Sequence, residues 1–464
     1  MHIFPTCYQA VGSRPRFRPL FALLAGFSGI LLVSQFIPDA RAAKVVDRVK
    51  VEDVWSGVQA GFSLLTDGDR QYVAYYDAQR QMTVASRTLD STTWTYKRLP
   101  TWFAWDGHNY VTMALDRDGQ LHVSGNMHCV PLLYFRTSTP GDVSTLDQFR
   151  HMTGDREEMT TYPVFNYDKG GNLLFSYRSG RSGSGDVLYN IYDTATKTWR
   201  RLIDQPLFDG QDRMNAYVRP FVAGADGWWH VTWIWRDDYG AEFNHDLSYA
   251  RSRDLLNWET VDGRPITLPI RYETPGLIVD PVPVNGGIIN GSGRLGFDDQ
   301  NRPVIAYHKF DEQGFTQMYL ARYENGAWVR RKLTNWTHRW EPRGGGSIPF
   351  EVNHTELLHD PSVGYYISLS NKKHGRGSWL VNPQTLELGQ QIPQQRVPGY
   401  NPPEAAPKLL PGMTARWATD LTRKPGRLRY VLSSSARPGN RDRPLPGPIP
   451  APTPLVVLGI QDSE

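Results

Sequence analysis

His108 and His128 are the residues of this chain best placed for chemistry. The first lies in Trp105-Asp106-Gly107-His108-Asn109-Tyr110, the second ends His122-Val123-Ser124-Gly125-Asn126-Met127-His128. Between them Asp116-Arg117-Asp118-Gly119 is a turn signal flanked by alternating, strand-like residues. Folding about that turn brings residue 108 opposite roughly position 127. Two imidazoles then meet at the open end of one hairpin. Such a pair can remove a proton from one atom and deliver one to another near neutral pH.

The same device recurs. Strand-like runs fold about turns centred near Gly68, Asp118, Gly170, Asp226, Asp299, Asp360 and Pro425. Several units continue to a further strand closed by tryptophan, as in Met82 to Trp94, Val187 to Trp199, Leu247 to Trp258 and Met318 to Trp328. Helical periodicity is almost absent. A sheet of about four short strands cannot bury both faces alone, but a ring of such sheets can. The expectation is an all-β chain folded as a seven-bladed β-propeller. A strand from one terminus, Val51 to Val58 or Thr453 to Ile460, would complete a blade begun at the other.

Aligned on their turns, the blades present further polar groups at the depth of the histidines. Tyr162 faces Arg178, Tyr217 faces a position beside Trp235 and Arg236, and His308 falls next to Asn290. Asn353 and His354 occupy the corresponding place in the sixth unit. Arginine pairs with carboxylates, and tyrosine and histidine exchange protons. Trp102, Trp105 and Trp235 offer apolar platforms for a sugar face.

The chain has 464 residues, 42 of them glycine and 34 proline. Residues 1–42 read as a secretory signal peptide: arginines at 14, 16 and 18, an apolar run, then Ala40-Arg41-Ala42. That leader holds four arginines and one aspartate, so its removal takes the net charge from +4 to +1. A nucleic-acid partner therefore gains nothing from the basic balance. No later run is apolar and long enough for a membrane span. Residues 43–464 read as a single propeller domain, with a Pro-rich C-terminal strap at about 436–454. Cys7 leaves with the leader, so Cys129 has no partner for an internal disulfide.

The remaining motifs carry less. His245 and His308 are metal-ligand types, yet their spacing forms no standard zinc cluster. The glycine-rich Gly180-Arg181-Ser182-Gly183-Ser184-Gly185 has no strand-helix-strand context for a nucleotide. It reads as a turn that carries Arg181 near the rim.

Several of these segments resemble the BNR-4 repeat proteins. They are Gln71 to Asp77, Trp105 to Tyr110, His122 to His128, Thr161-Tyr162-Pro163, Phe175 to Gly180, Asn244 to Ala250 and Trp340 to Gly346. That family of secreted seven-bladed propellers includes ulvan lyases and enzymes acting on the L-rhamnose–D-glucuronate bond. The resemblance implies a polysaccharide lyase, a carbon–oxygen lyase acting by β-elimination on an anionic rhamnose- and uronate-containing glycan. It implies His108, His128, Tyr162 and Arg178 as the catalytic residues, with Tyr217 beside them. Asn109, Asn126, Arg181, Arg219, Arg236, Asn290, His308 and His354 would extend the anionic subsites. It also implies a structural metal ion, calcium or zinc, with ligands unassigned, and no cofactor for catalysis. The expected protein is a secreted or periplasmic monomer. A rhamnose–glucuronate glycoside hydrolase and a non-catalytic carbohydrate-binding propeller are the alternatives.

Overall fold

Local turn chemistry starts each blade. Asp116 accepts the backbone N–H groups of Asp118 and Gln120, both at 2.9 Å, and Gly119 takes φ +78°. The turn joins Val111–Leu115 to Leu121–Gly125. Gly68, at φ +60°, does the same between Ser63–Asp67 and Arg70–Tyr76. In Arg70–Tyr76 both faces are apolar. Tyr72, Ala74 and Tyr76 enter the core shared with the second sheet, while Val73 and Tyr75 enter the core on the other side. A strand buried on both faces needs a neighbouring sheet on each, which is the demand a ring satisfies.

The computed structural model describes residues 44–395, 409–422 and 426–461, and in these the fold is an all-β propeller. The expected leader, 1–42, lies outside the described residues. The only helical pieces described are the short 3-10 turns Val143–Thr145 and Ala241–Phe243.

The expectation of a seven-bladed propeller is corrected: the propeller has six blades. Six sheets take their main ladder from one stretch of chain each, residues 63–102, 111–149, 160–201, 215–280, 294–332 and 352–392, and His128–Val130 crosses from the second stretch into the third sheet. The remaining sheet is a closure rather than a repeat. Its order runs Lys44–Val54, Thr453–Gln461, Arg429–Ala436, Thr414–Thr419, so the two ends of the described chain zip together. Counting turns in the sequence counted that closure as one more blade. The turn residues near Pro425 themselves lie outside the described residues.

The tryptophans open the outer strands rather than close the preceding turns. Trp199 pairs with Tyr192, Trp258 with Ser252 and Trp328 with Tyr323. Trp94 stands just before Thr95–Trp102, 6% exposed, and donates its indole N–H to the Lys50 carbonyl at 3.0 Å. It thus pins the first blade to the closing sheet. Trp94→Ala should lower unfolding free energy by about 3–5 kcal/mol, measured by denaturant titration, with unchanged turnover per folded molecule.

The Pro-rich segment 437–452 forms no strand. It returns across the rim at the open ends of the hairpins, where Asp442 reaches the loop that carries His108.

Candidate functional site

Five side chains are delivered by strand ends on neighbouring sheets. His108 precedes Val111–Leu115 of the second sheet. His128 opens the short strand His128–Val130, which leaves that sheet and pairs with Thr160–Tyr167 of the third. Tyr162 and Arg178 come from Thr160–Tyr167 and Leu173–Arg181, and Tyr217 from Asn215–Val218 of the fourth.

Tyr162 owes its aim to a β-bulge. Thr161 pairs with Arg178 and Val164 with Ser176, so one strand advances three residues while its partner advances two. Tyr162 is at the extra position with φ +59°, an unusual value for a non-glycine residue. The Arg178 guanidinium lies 5.2 Å from the centre of its ring.

The imidazoles of His108 and His128 lie 4.2 Å apart, centre to centre. Asp106 bridges them: Oδ1 is 2.7 Å from Nδ1 of His108 and Oδ2 is 2.5 Å from Nδ1 of His128. Burial opposes ionisation of Asp106, but its bonds to both histidines hold its carboxyl well below the usual range. An ionised carboxylate only accepts, so both Nδ1 atoms donate to it and both Nε2 atoms are left for another partner. Asp442 adds a second carboxylate 3.3 Å from Nδ1 of His108. Burial would lower the His108 value; the two carboxylates outweigh it and raise it to about 9. His108 is therefore an imidazolium at neutral pH.

The two tyrosines differ. Burial, with Tyr217 adjoining, pushes the Tyr162 phenol far up, so it keeps its proton. Burial acts upward on Tyr217 too, but Arg236 and then Arg178 outweigh it and bring the value down. Arg236 is fully engaged by its neighbours. It donates to Asn244 Oδ1 at 3.0 Å, Tyr217 OH at 2.8 Å, Ser182 Oγ at 3.1 Å and Asn290 Oδ1 at 2.6 Å. Arg178 is not. Its Nη2 donates to Thr161 Oγ1 at 3.1 Å and lies 3.3 Å from Cys129 Sγ, while buried Nε and Nη1 have no protein acceptor.

His108, His128, Tyr162, Arg178, Tyr217, Arg236 and Asn290 share one cleft of about 810 Å³. A second cavity of about 900 Å³ shares the Tyr162, Arg178 and Tyr217 wall and holds Arg219. The other residues singled out from the sequence lie elsewhere. Asn126 donates to Thr101 and to the Trp102 carbonyl, and Asn109 accepts Tyr76 OH through its backbone; neither lines the cleft. Arg181 is exposed at the end of its strand, and its neighbour Ser182, in the turn that follows, reaches the cleft instead. His308 and His354 are buried below the rim. Burial lowers His308 to about 4 and takes His354 well below its usual value, so both are neutral. Trp235 is only 1% exposed, Trp105 packs edge-on against Trp55, and neither lines the cleft, nor does Trp102.

Sequence reasoning did not assign Asp106, Asp442, Ser182 or Tyr239 to the site. Asp106 stood inside the motif already noted. Asp442 carries no local signal, because its partners are far away in the chain.

Asp106, His108 and His128 also form a donor set, with ligand atoms within 4.8 Å of one another, that can hold a metal ion. Two imidazoles and a carboxylate suit zinc; calcium favours a shell of oxygens. An ion held through the Nδ1 atoms would take the place of the protons Asp106 now accepts.

The cleft is thus built from imidazole, phenol and guanidinium groups, which can exchange protons and pair with anions, on the strand ends of an all-β propeller. Residues 70–336, more than half of the chain, match the family described as BNR repeat-containing family member, and the chain belongs to that family. No curated protein matches it. Among solved structures it is similar to the polysaccharide lyase Uly1, at 12% identity over 90% of this chain and 99% of that one, TM-score 0.57. It is also similar to a PL25 ulvan lyase, at 13% identity over 89% and 96%, TM-score 0.56. The same values hold for a PL25 ulvan lyase bound to -[GlcA(1-4)Rha3S]-. At these identities the likeness establishes a shared fold.

Proposed function

We propose that the cleft cleaves the rhamnose–uronate linkage of an anionic polysaccharide by β-elimination, and that the chain works outside the cytoplasm. The observation that carries the reading is the Asp106-bridged histidine pair, set beside Tyr162 and an Arg178 with unpaired donors. The shared fold with ulvan lyases supports it, and the leader-like residues 1–42 support export.

The chemistry follows from the groups present. A uronate C5–H is too weakly acidic to leave unaided. Arg178 and the His108 imidazolium sit against the C6 carboxylate and offset the charge that grows on it as C5 loses its proton. His128 takes that proton at Nε2, since Asp106 fixes its other nitrogen as a donor. The C5–H electron pair forms the C4=C5 double bond, and the C4–O4 bond breaks. Tyr162, kept protonated by burial, delivers a proton to the departing O4 oxygen, which leaves as the O1 hydroxyl of rhamnose. The products are an unsaturated uronate and a free rhamnose end. A metal held by Asp106, His108 and His128 would take the place of the Nδ1 protons and supply positive charge beside the same carboxylate.

Ulvan, gum arabic and rhamnose–glucuronate oligosaccharides, followed by ultraviolet absorbance and mass, test the reading. Elimination creates a conjugated double bond; hydrolysis adds water and creates none. His128→Ala and Tyr162→Phe should each reduce turnover by about 100-fold or more with the fold retained. Cleavage without the absorbing product would establish a hydrolase, and binding without cleavage a lectin.

A further inference from the structure

The strap residue Asp442 meets the site from the far end of the chain. Its Oδ1 accepts the Gly107 N–H at 3.0 Å, its Oδ2 accepts the Ser347 N–H at 2.9 Å, and that same Oδ2 lies 3.3 Å from His108 Nδ1. One carboxylate thus ties together three segments: the strap, the His108 loop and the loop 344–348, which forms part of the cleft wall.

The meeting is built tightly. Arg441 and Asp442 both have positive φ, +49° and +64°, and such conformations persist only where the surroundings impose them. Arg441 also donates to the Arg343 carbonyl at 2.9 Å. A Cβ on Gly346 would stand 2.7 Å from the Arg441 carbonyl oxygen. One on Gly345 would stand 2.0 Å from the Tyr239 ring, another residue of the cleft. The run Gly344-Gly345-Gly346 is what lets strap, wall and Tyr239 close on one another.

Asp106 alone leaves His108 under-determined. Its carboxylate is already shared with His128, and both contacts come from one loop. Asp442 supplies the second anchor for the same Nδ1–H from a different part of the fold.

We propose that Asp442 is a positioning residue, which holds the His108 ring in its working orientation and seats the strap against the 344–348 wall. The inference rests on the reading of this cleft as the place where glycan is cleaved. Asp442 itself lines neither cavity and acts through His108. The strap is thereby a working part of the site and not a surface tie alone.

Asp442→Asn is the test, with Asp442→Glu as its conservative companion. The amide keeps the shape but replaces one acceptor oxygen with a donor, so either Gly107 loses its partner or Ser347 and His108 both do. Turnover of the uronate polymer should fall by about 10–100-fold. KM should stay within about twofold, the melting temperature should hold, and Asp442→Glu should recover part of the loss. The His108 Nδ1–H resonance, assigned by its absence in His108→Asn, should exchange faster in Asp442→Asn. If wild-type protein cleaves none of the glycans, the reading of the cleft fails, and the Nδ1–H resonance alone decides the positioning role. Unchanged kcat with an unchanged resonance overturns the proposal. So does a fall in kcat that only follows a fall in melting temperature.

Discussion

Arg178→Ala is expected to abolish measurable elimination, with kcat/KM down by about 10³-fold, while the protein still folds. A preorganised donor aimed at developing charge is worth about 10²–10³-fold in rate on removal, and here a full positive charge leaves with it. The fold should survive because Arg178 gives little to stability. It is 3% exposed, yet two of its nitrogens have no protein acceptor. A buried cation left half-satisfied costs folding free energy rather than supplying it. That arrangement makes sense where an anionic sugar completes the shell. Loss of the contact with Tyr162 is the main structural penalty, on the order of 1 kcal/mol.

Arg178→Lys separates charge from geometry. An ammonium keeps the charge but loses the planar fork, so activity should lie between wild type and alanine. Steady-state kinetics with matched circular dichroism measure both. If Arg178→Ala keeps near wild-type kcat/KM, as do His128→Ala and Tyr162→Phe, the cleft is not where this protein does its chemistry.

Sequence logic reached the hairpins because their signals are local. Asp116, Gly119 and Gly68 fix their turns with groups a few residues away, and the register follows: Tyr217 stands opposite Ile234, beside Trp235 and Arg236. It also reached the strand ends that meet in the cleft. It could not see where a strand departs from strict alternation. The bulge at Tyr162 turns a residue that regular pairing would place differently, and His128 crosses to the next sheet on a three-residue strand. Depth was equally hidden. His308 and His354 share the turn-based alignment of the site residues, but Trp340 packs over His308 and the pair stays buried. Arg181 ends its strand exposed, while Ser182, the first residue of the turn, enters the cleft. Asp442 depends on ring closure, which brings the C-terminal strap back over the second sheet, and nothing in its Pro-rich surroundings points to His108.

Asp106→Asn should have the other large effect, roughly 10³–10⁴-fold in kcat, as when a histidine's orienting carboxylate is made an amide. One oxygen can still accept an Nδ1–H, but the amide nitrogen then faces the second imidazole as a donor. If that ring is His128, it presents a bare Nδ1 and carries its proton on Nε2, where it can no longer accept one from C5; if it is His108, the imidazolium is lost. The pH dependence changes too, and its sign is fixed by the shifts. His108 is raised from its ordinary 6.5 to about 9 in the folded protein. Its contribution to stability is therefore complete below pH 6.5 and disappears as pH rises through about 9, on the order of 3 kcal/mol. Asp106 is lowered, so its contribution is present above the ordinary carboxylate range and is lost as pH falls towards its depressed value. Wild-type protein should lose melting temperature between pH 6.5 and 9, and Asp106→Asn should lose much less across that window. Activity should follow, because the imidazolium at His108 helps hold the carboxylate: wild-type turnover declines as pH passes about 9, and what remains in Asp106→Asn declines at lower pH. Melting curves and kcat/KM profiles measured on both proteins decide it. Superimposable alkaline limbs would show that Asp106 does not govern the charge of His108.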